Sequence, residues 1–225
     1  MESTSLSIKQ EQANMLTHAF GLLLSFIGLF TLVLGTYDQN NFLHFLCCII
    51  YGTSLVLLYA ASTCYHGFRS EHWKHVFKIV DHCAIYILIA GTYTPFTLLA
   101  LGGMWGWSMF CTVWALAFIG IQFKLFFVNQ FKIFSTLIYL MMGWLVVIAI
   151  EPLMQALPFE GLMWLVAGGI AYTVGVLFYL RDDYGYNHAI WHLFVLAGSV
   201  SHFIAVFLYV IPEAEGTTFL SLSSS

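Results

Sequence analysis

Apolar residues run along this chain in blocks of about twenty, separated by short polar or glycine-containing joints. The blocks cover roughly residues 16–36, 43–66, 79–101, 104–127, 132–151, 161–180 and 188–211. A helix needs about 20 apolar residues to cross the hydrocarbon core of a bilayer. Backbone facing lipid must satisfy its own hydrogen bonds, which a helix does and irregular chain does not. The pattern therefore predicts an all-α protein, a bundle of seven transmembrane helices. The joints include Asp38-Gln39-Asn40-Asn41, Gly102-Gly103, Pro158-Phe159-Glu160 and Asp182-Asp183-Tyr184-Gly185. Their shortness makes consecutive helices antiparallel. Residues 1–15 read as a polar N-terminal segment, 16–211 as one transmembrane domain and 212–225 as a short Ser-rich tail.

Composition narrows the solvent to lipid. The 225 residues are 60% hydrophobic and only 8% charged, whereas a soluble domain carries about 25% charge. The first apolar block is too long for a signal-peptide core and has no small-residue cleavage site after it, so it reads as a retained helix. The five cysteines (Cys47, Cys48, Cys64, Cys83, Cys111) lie in or beside apolar blocks, with no spacing that suggests a disulfide framework. No phosphate loop, dinucleotide fingerprint or nucleic-acid patch is present, and no protein partner is identifiable.

The few charges orient the chain. Lys9, Arg69, Lys74, Lys78, Lys124, Lys132 and Arg181 are all of its basic residues. They fall on the N-terminal segment and on the second, fourth and sixth joints. Basic residues mark the cytoplasmic side, so the N-terminus is expected to be cytoplasmic and the C-terminus outside. A G-protein-coupled receptor runs the other way.

Ionisable groups inside a membrane are expensive and call for a reason. Followed to their cytoplasmic ends, four helices bring such groups to one depth. The first carries Glu11, Asn14 and His18, spaced to share a face. The second ends with Ser62 and His66, the third begins with Asp81 and His82, and the seventh begins with His188 and His192. Two histidines one turn apart point the same way, a common means of presenting two zinc ligands. With His66 at matching depth the set becomes His66, His188 and His192. Three histidines leave a fourth position open, as catalytic zinc sites do. A Ser62–His66 nucleophilic pair is a weaker reading, since no G-x-S-x-G elbow exists.

The remaining polar residues take ordinary roles. His72 and His75 share a joint with Arg69 and Lys74 and read as solvated. His44 reads as interfacial, and His82 as a structural hydrogen-bonding group. His202 lies on nearly the face of His188 but roughly 20 Å deeper, so it either lines a cavity or bonds across helices. Cys64 and Cys83 point away from the site. Glu11, Asn14 and His18 cap or brace it. Pro95 should kink the third helix, and the glycines of the sixth permit close helix contact.

Glu11…Asn14…Thr17-His18, Ser62-x-x-x-His66, Asp81-His82, Gly91-Thr92-Tyr93-Thr94-Pro95 and the run from His188 through His192 to Ser199 resemble the bacterial hemolysin III family. That family lies within the progestin and adipoQ receptor group, which includes the adiponectin receptors. The likeness covers about residues 8 to 211. It implies a seven-helix bundle with zinc held at His66, His188 and His192, and it places the family's Ser and Asp at Ser62 and Asp81. Alkaline ceramidases of the wider superfamily use such a set to hydrolyse lipid amides. The long N-terminal domain of the adiponectin receptors has no counterpart here, so adiponectin binding is not expected.

The leading expectation is a zinc-dependent hydrolase of a membrane lipid amide or ester in the bacterial plasma (inner) membrane, with Asp81 and Ser62 as catalytic groups. The alternatives are a sensor or receptor with structural zinc, and a cytolysin. The uniformly apolar chain, without a secretion signal or an amphipathic soluble form, argues against the cytolysin. The orientation has a direct test. Alkaline phosphatase, active only outside the cytoplasm, should be active when fused after Gly103 and inactive when fused after Val128. The opposite pattern would invert the topology.

Overall fold

In the computed structural model the described residues, 2–37 and 41–212, include seven helices long and apolar enough to cross a membrane and no strand. These are α1 (Ser7–Tyr37), α2 (Phe42–Gly67), α3 (Glu71–Leu101), α4 (Gly103–Phe127), α5 (Lys132–Ala156), α6 (Phe159–Tyr179) and α7 (Asn187–Val210). The seven apolar blocks and the seven helices correspond one to one. Most of the joint at Asp38-Gln39-Asn40 and most of the Ser-rich tail lie outside the described residues. The helix of α1 reaches back to Glu2, so Glu11, Asn14 and His18 share one continuous helical face.

Each helix packs beside the next in the chain, and α1 closes the ring against α7. The outward faces are apolar. On α1, Leu16, Phe20, Leu23, Ile27, Phe30 and Leu34 are exposed, and their steps of three and four residues put them on one stripe. In water such a stripe would aggregate, whereas in a bilayer it is the surface the lipid chains cover. The five cysteines are free thiols.

The centre of the bundle is α3. Of its most apolar stretch 67% is buried, against 50% or less in every other helix. One side of α3 (Ala84, Leu88, Phe96) packs into a cluster with Tyr51, Leu55 and Tyr59 of α2 and Val195, Val206 and Val210 of α7. The other side (Tyr86, Ala90, Tyr93) packs with Met109, Val113 and Ala117 of α4 and Met142 of α5. The approach of α4 requires glycine at 120, because a Cβ there would run into the Tyr86 ring.

Two irregularities follow from named residues. Beyond Pro95 the helix of α3 widens into a π-helical turn over Phe96–Leu101, with Gly102 N–H donating five residues back to Thr97 O at 2.9 Å. Proline removes one donor from the ladder, and the hydrogen-bond register changes directly after it. In α5 the ladder tightens to a 3-10 stretch over Leu145–Ala149. Tyr93 of α3 sits at that break. Its hydroxyl donates to Gly143 O at 2.9 Å and accepts from Val146 N–H at 2.8 Å. One phenol thus satisfies a donor and an acceptor that α5 leaves open, as membrane backbone must.

The joints carrying the basic residues meet at one end of the bundle. Gln10 donates to Gly185 O at 2.9 Å, Lys74 to Glu11 at 2.9 Å and Lys78 to Asn129 at 2.8 Å, and Lys132 pairs with Asp182. At the opposite end His44, read as interfacial, is only 4% exposed.

Tyr93→Phe should keep the fold but leave Gly143 O and Val146 N–H unpaired. The expected cost is about 1–3 kcal/mol, seen as a lowered unfolding midpoint of the detergent-solubilised protein. An unchanged midpoint would show that the phenol does not hold the α5 break.

Candidate metal centre

His66 lies in the last turn of α2, and His188 and His192 in the first turns of α7. The short joints bring these two helix ends together at the basic end of the bundle. One ring nitrogen from each of the three lies within 4.8 Å of the others. The ring centroids stand 5.0 Å (66–188), 5.2 Å (66–192) and 4.6 Å (188–192) apart. His66 and His192 are buried and His188 is partly buried.

The partners of these rings decide which nitrogen is free. His66 Nδ1 stands 2.8 Å from Glu11 Oε2. His192 Nδ1 stands 3.1 Å from Asn14 O and 3.1 Å from the Thr17 hydroxyl. A carboxylate and a carbonyl only accept, so in both rings Nδ1 carries the hydrogen. His188 Nδ1 faces Asp182 Oδ2 at 3.7 Å. In all three rings Nε2 is buried with no hydrogen-bond partner among the described residues. Three bare, clustered lone pairs far from bulk water are unfavourable as they stand. They fit a cation that takes three nitrogen ligands, and metal-bound histidines are characteristically oriented by a carboxylate or carbonyl on the other nitrogen.

The bracing groups are themselves anchored. Glu11 also accepts from Lys74 at 2.9 Å. Asp182 lies in the joint before α7 and is held by Lys132. Burial pushes the Asp182 carboxyl up, but His188 and Lys132 beside it outweigh burial and hold it at about 2, so it is a carboxylate at neutral pH. His18 stacks on His192 with centroids 3.5 Å apart and meets Tyr59 edge-on at 5.0 Å. The expectation that Glu11, Asn14 and His18 brace the site corresponds to these contacts. Asp182 and Lys74 were not foreseen as part of it. Asp182 reads in the sequence as a turn residue, and its six-residue spacing before His188 was the one available signal.

Ser62 is fully buried one turn before His66, with its hydroxyl facing the Asp81 carboxyl. Asp81 is not among the clustered ligands. It lines a cavity of about 140 Å³ that runs inward from the site, with His18 also in its wall. Most of the wall is apolar or aromatic, from Ile85, Leu88 and Ile89 of α3, Tyr139 and Trp144 of α5, Tyr172, Val176 and Tyr179 of α6, and Trp191 and Val195 of α7. Between α5 and α6, Trp144 Nε1 donates to Thr173 Oγ1 at 3.0 Å in an exposed position. His82 turns away and bonds Lys78 O at 2.8 Å, while His72 and His75 are exposed.

Residues 6–203 match the family model described as "Haemolysin-III related". The "Hemolysin-3" of Bacillus cereus is 45% identical over 208 residues, covering 92% of this chain and 95% of that one. The "Hemolysin-3 homolog" of Bacillus subtilis is 44% identical over 205 residues, covering 91% and 96%. The human "Monocyte to macrophage differentiation factor" is 28% identical over 207 residues, covering 89% and 84%. No solved structure matches.

Elemental analysis of the purified chain should find one divalent metal per molecule, absent from His188→Ala. Glu11→Gln should retain the site but weaken metal affinity about 10–100-fold, measured by competition with a chelating dye. Equal affinity in Glu11→Gln would remove the carboxylate from the orienting role.

Proposed function

This chain belongs to the haemolysin-III-related family, and from that premise we propose that it is a zinc-dependent hydrolase of a membrane lipid amide or ester, resident in the bacterial plasma (inner) membrane with its N-terminus in the cytoplasm. The observation that carries the reading is a carboxyl group, Asp81, in the wall of an apolar cavity that shares His18 with a cluster of three buried, unpartnered imidazole nitrogens. Nitrogen-only ligation by three histidines suits zinc with one position left open.

His66, His188 and His192 would hold the metal. Bound there, zinc supplies Lewis acidity and a water that ionises near neutral pH. The protein's own residues do the rest. Glu11, Asn14, Thr17 and Asp182 keep the imidazoles turned so that Nε2 faces inward. Asp81 accepts the proton of the attacking water and returns it to the leaving amine or alcohol. The Ser62 hydroxyl, beside Asp81, donates to the oxyanion that develops on the lipid carbonyl. The acyl chain lies in the apolar cavity, which excludes water from the reaction. The lipid enters sideways between α5 and α6, where Trp144 and Thr173 bridge the two helices.

One observation favours a second reading, a sensor with structural zinc. The three histidines join α2 to α7, and their braces add α1, so a metal there also clasps the bundle. The names of the two bacterial relatives speak of haemolysis. In this chain the exposed apolar stripes of the outer spans suit a resident membrane protein rather than a secreted pore.

Asp81→Ala decides between hydrolase and sensor. The zinc-loaded variant should keep its metal and lose about 100-fold or more of fatty-acid release, measured on N-acyl and O-acyl lipids in mixed micelles. If the zinc-loaded wild-type chain releases no fatty acid from any of them, the hydrolase reading falls and the structural role stands.

A further inference from the structure

The cavity contains a polar group that the proposed chemistry does not use. His202 of α7 lines it, ten residues beyond His192. At 1.5 Å per residue that places it about 15 Å deeper along the helix. Thr92 of α3, buried in the same wall, lies eleven residues beyond Asp81, about 16 Å deeper by the same rise. Helices α3 and α7 run the same way, so the two residues reach about one level in the cavity wall.

The chemistry of His202 is fixed by its neighbours. Its Nε2 stands 3.1 Å from Leu165 O of α6. A carbonyl only accepts, so Nε2 carries the hydrogen and Nδ1 of the neutral ring is left as an acceptor. That Nδ1 is buried without a partner among the described residues. The ring cannot slide away, because it occupies the space over Gly168 that a Cβ would fill. The hydroxyls of Tyr59, Ser199 and Tyr172 are engaged with one another. Tyr59 donates to Ser199 at 2.9 Å, and Ser199 shares a 2.9 Å hydrogen bond with Tyr172, whose ring centroid lies 5.5 Å from that of His202. An acceptor held in hydrocarbon at a fixed depth calls for a donor.

We propose that this deep end of the cavity is a second, polar subsite, where His202 and Thr92 bind a hydroxyl group carried on the hydrocarbon chain of the lipid, about 15 Å from the end held at the metal centre. The inference rests on the reading of the cavity as the acyl-chain site. Carbon–carbon bonds of about 1.5 Å advance a zigzag chain by about 1.25 Å per carbon, so the hydroxyl belongs near the twelfth carbon. His202 Nδ1 accepts its hydrogen and the Thr92 hydroxyl donates to its oxygen. A ketone at the same carbon has no hydrogen to give and leaves His202 unsatisfied.

The test measures binding alone, so it does not depend on turnover. The purified full chain, loaded with zinc in detergent, is titrated calorimetrically with stearate, 2-hydroxystearate, 12-hydroxystearate and 12-oxostearate. The 12-hydroxy acid should bind about tenfold more tightly than the 2-hydroxy and 12-oxo acids, the effect of about one well-made hydrogen bond. His202→Phe should abolish that preference, read as the ratio of 12-hydroxystearate to stearate affinity in the same variant. Thr92→Val should reduce it, and decides the matter if the first variant does not fold. Stearate binding with no preference for the 12-hydroxy acid in the wild-type chain would overturn the subsite while leaving the lipid cavity in place. Failure to bind any of the four acids would overturn the lipid cavity and the subsite with it.

Discussion

Hydrocarbon offers a polar atom nothing to bond, so every buried lone pair in this protein must be met by another side chain, by backbone or by a ligand. Most are met. Threonine and serine hydroxyls fold back onto carbonyls three or four residues earlier, as at Thr36, Thr94 and Thr136. Tyr93 bridges the open backbone of α5. Among the described residues, three of the exceptions gather at one place, where Nε2 of His66, His188 and His192 converge. The same constraint explains why the bracing contacts are so direct. An imidazole that must present one nitrogen to a cation in a dry site can do so only if its other nitrogen is held, and Glu11 and Asn14 hold it in two of the three rings.

That requirement couples the site to the architecture. Glu11, Asn14, Thr17 and His18 come from α1, His66 from α2, and His188 and His192 from α7, so the site exists only when the ring of helices is closed between α7 and α1. The centre of the bundle supplies the remaining part. α3 is buried on two sides, and its inner face carries Asp81 at one end and Thr92 farther in, so one rigid helix spaces the carboxylate from the deep end of the cavity. The irregular stretches in α3 and α5 lie toward the far end, away from the three clustered histidines. The chain therefore keeps regular helix where ligand spacing matters and places its changes of register elsewhere.

Much of this was legible in the sequence because two signals do not depend on tertiary detail. Blocks of about twenty apolar residues state the number of spans, and the confinement of basic residues to alternate joints states which ends share a side. Together they place His66, His188 and His192 at one depth before any helix is packed. What periodicity does not encode is rotation about each helix axis and the conformation of joints. Asp182 beside His188, Lys74 on Glu11 and the burial of His44 all depend on how neighbouring helices turn and how far they extend. The cavity was illegible for a related reason. Most of its wall is built from ordinary apolar and aromatic residues on five helices, and none of these individually differs from a packing residue.

His202 shows how a residue passes from one category to the other. In the sequence it is a deep histidine with two bland explanations, a cavity wall or a bond across helices, and the structure gives it both. Those explanations use one nitrogen and the edge of the ring, and neither accounts for Nδ1. A purely structural histidine at this depth could be replaced by any residue that reached Leu165 O, without a glycine beneath to seat a flat ring. Gly168 under His202, with an acceptor left over at the level of Thr92, is instead the arrangement expected where the protein measures distance along a chain. The reactive end of the lipid would be fixed by metal and carboxylate, and the second fixed point would tell one hydrocarbon chain from another, a distinction that dispersion contacts alone make poorly.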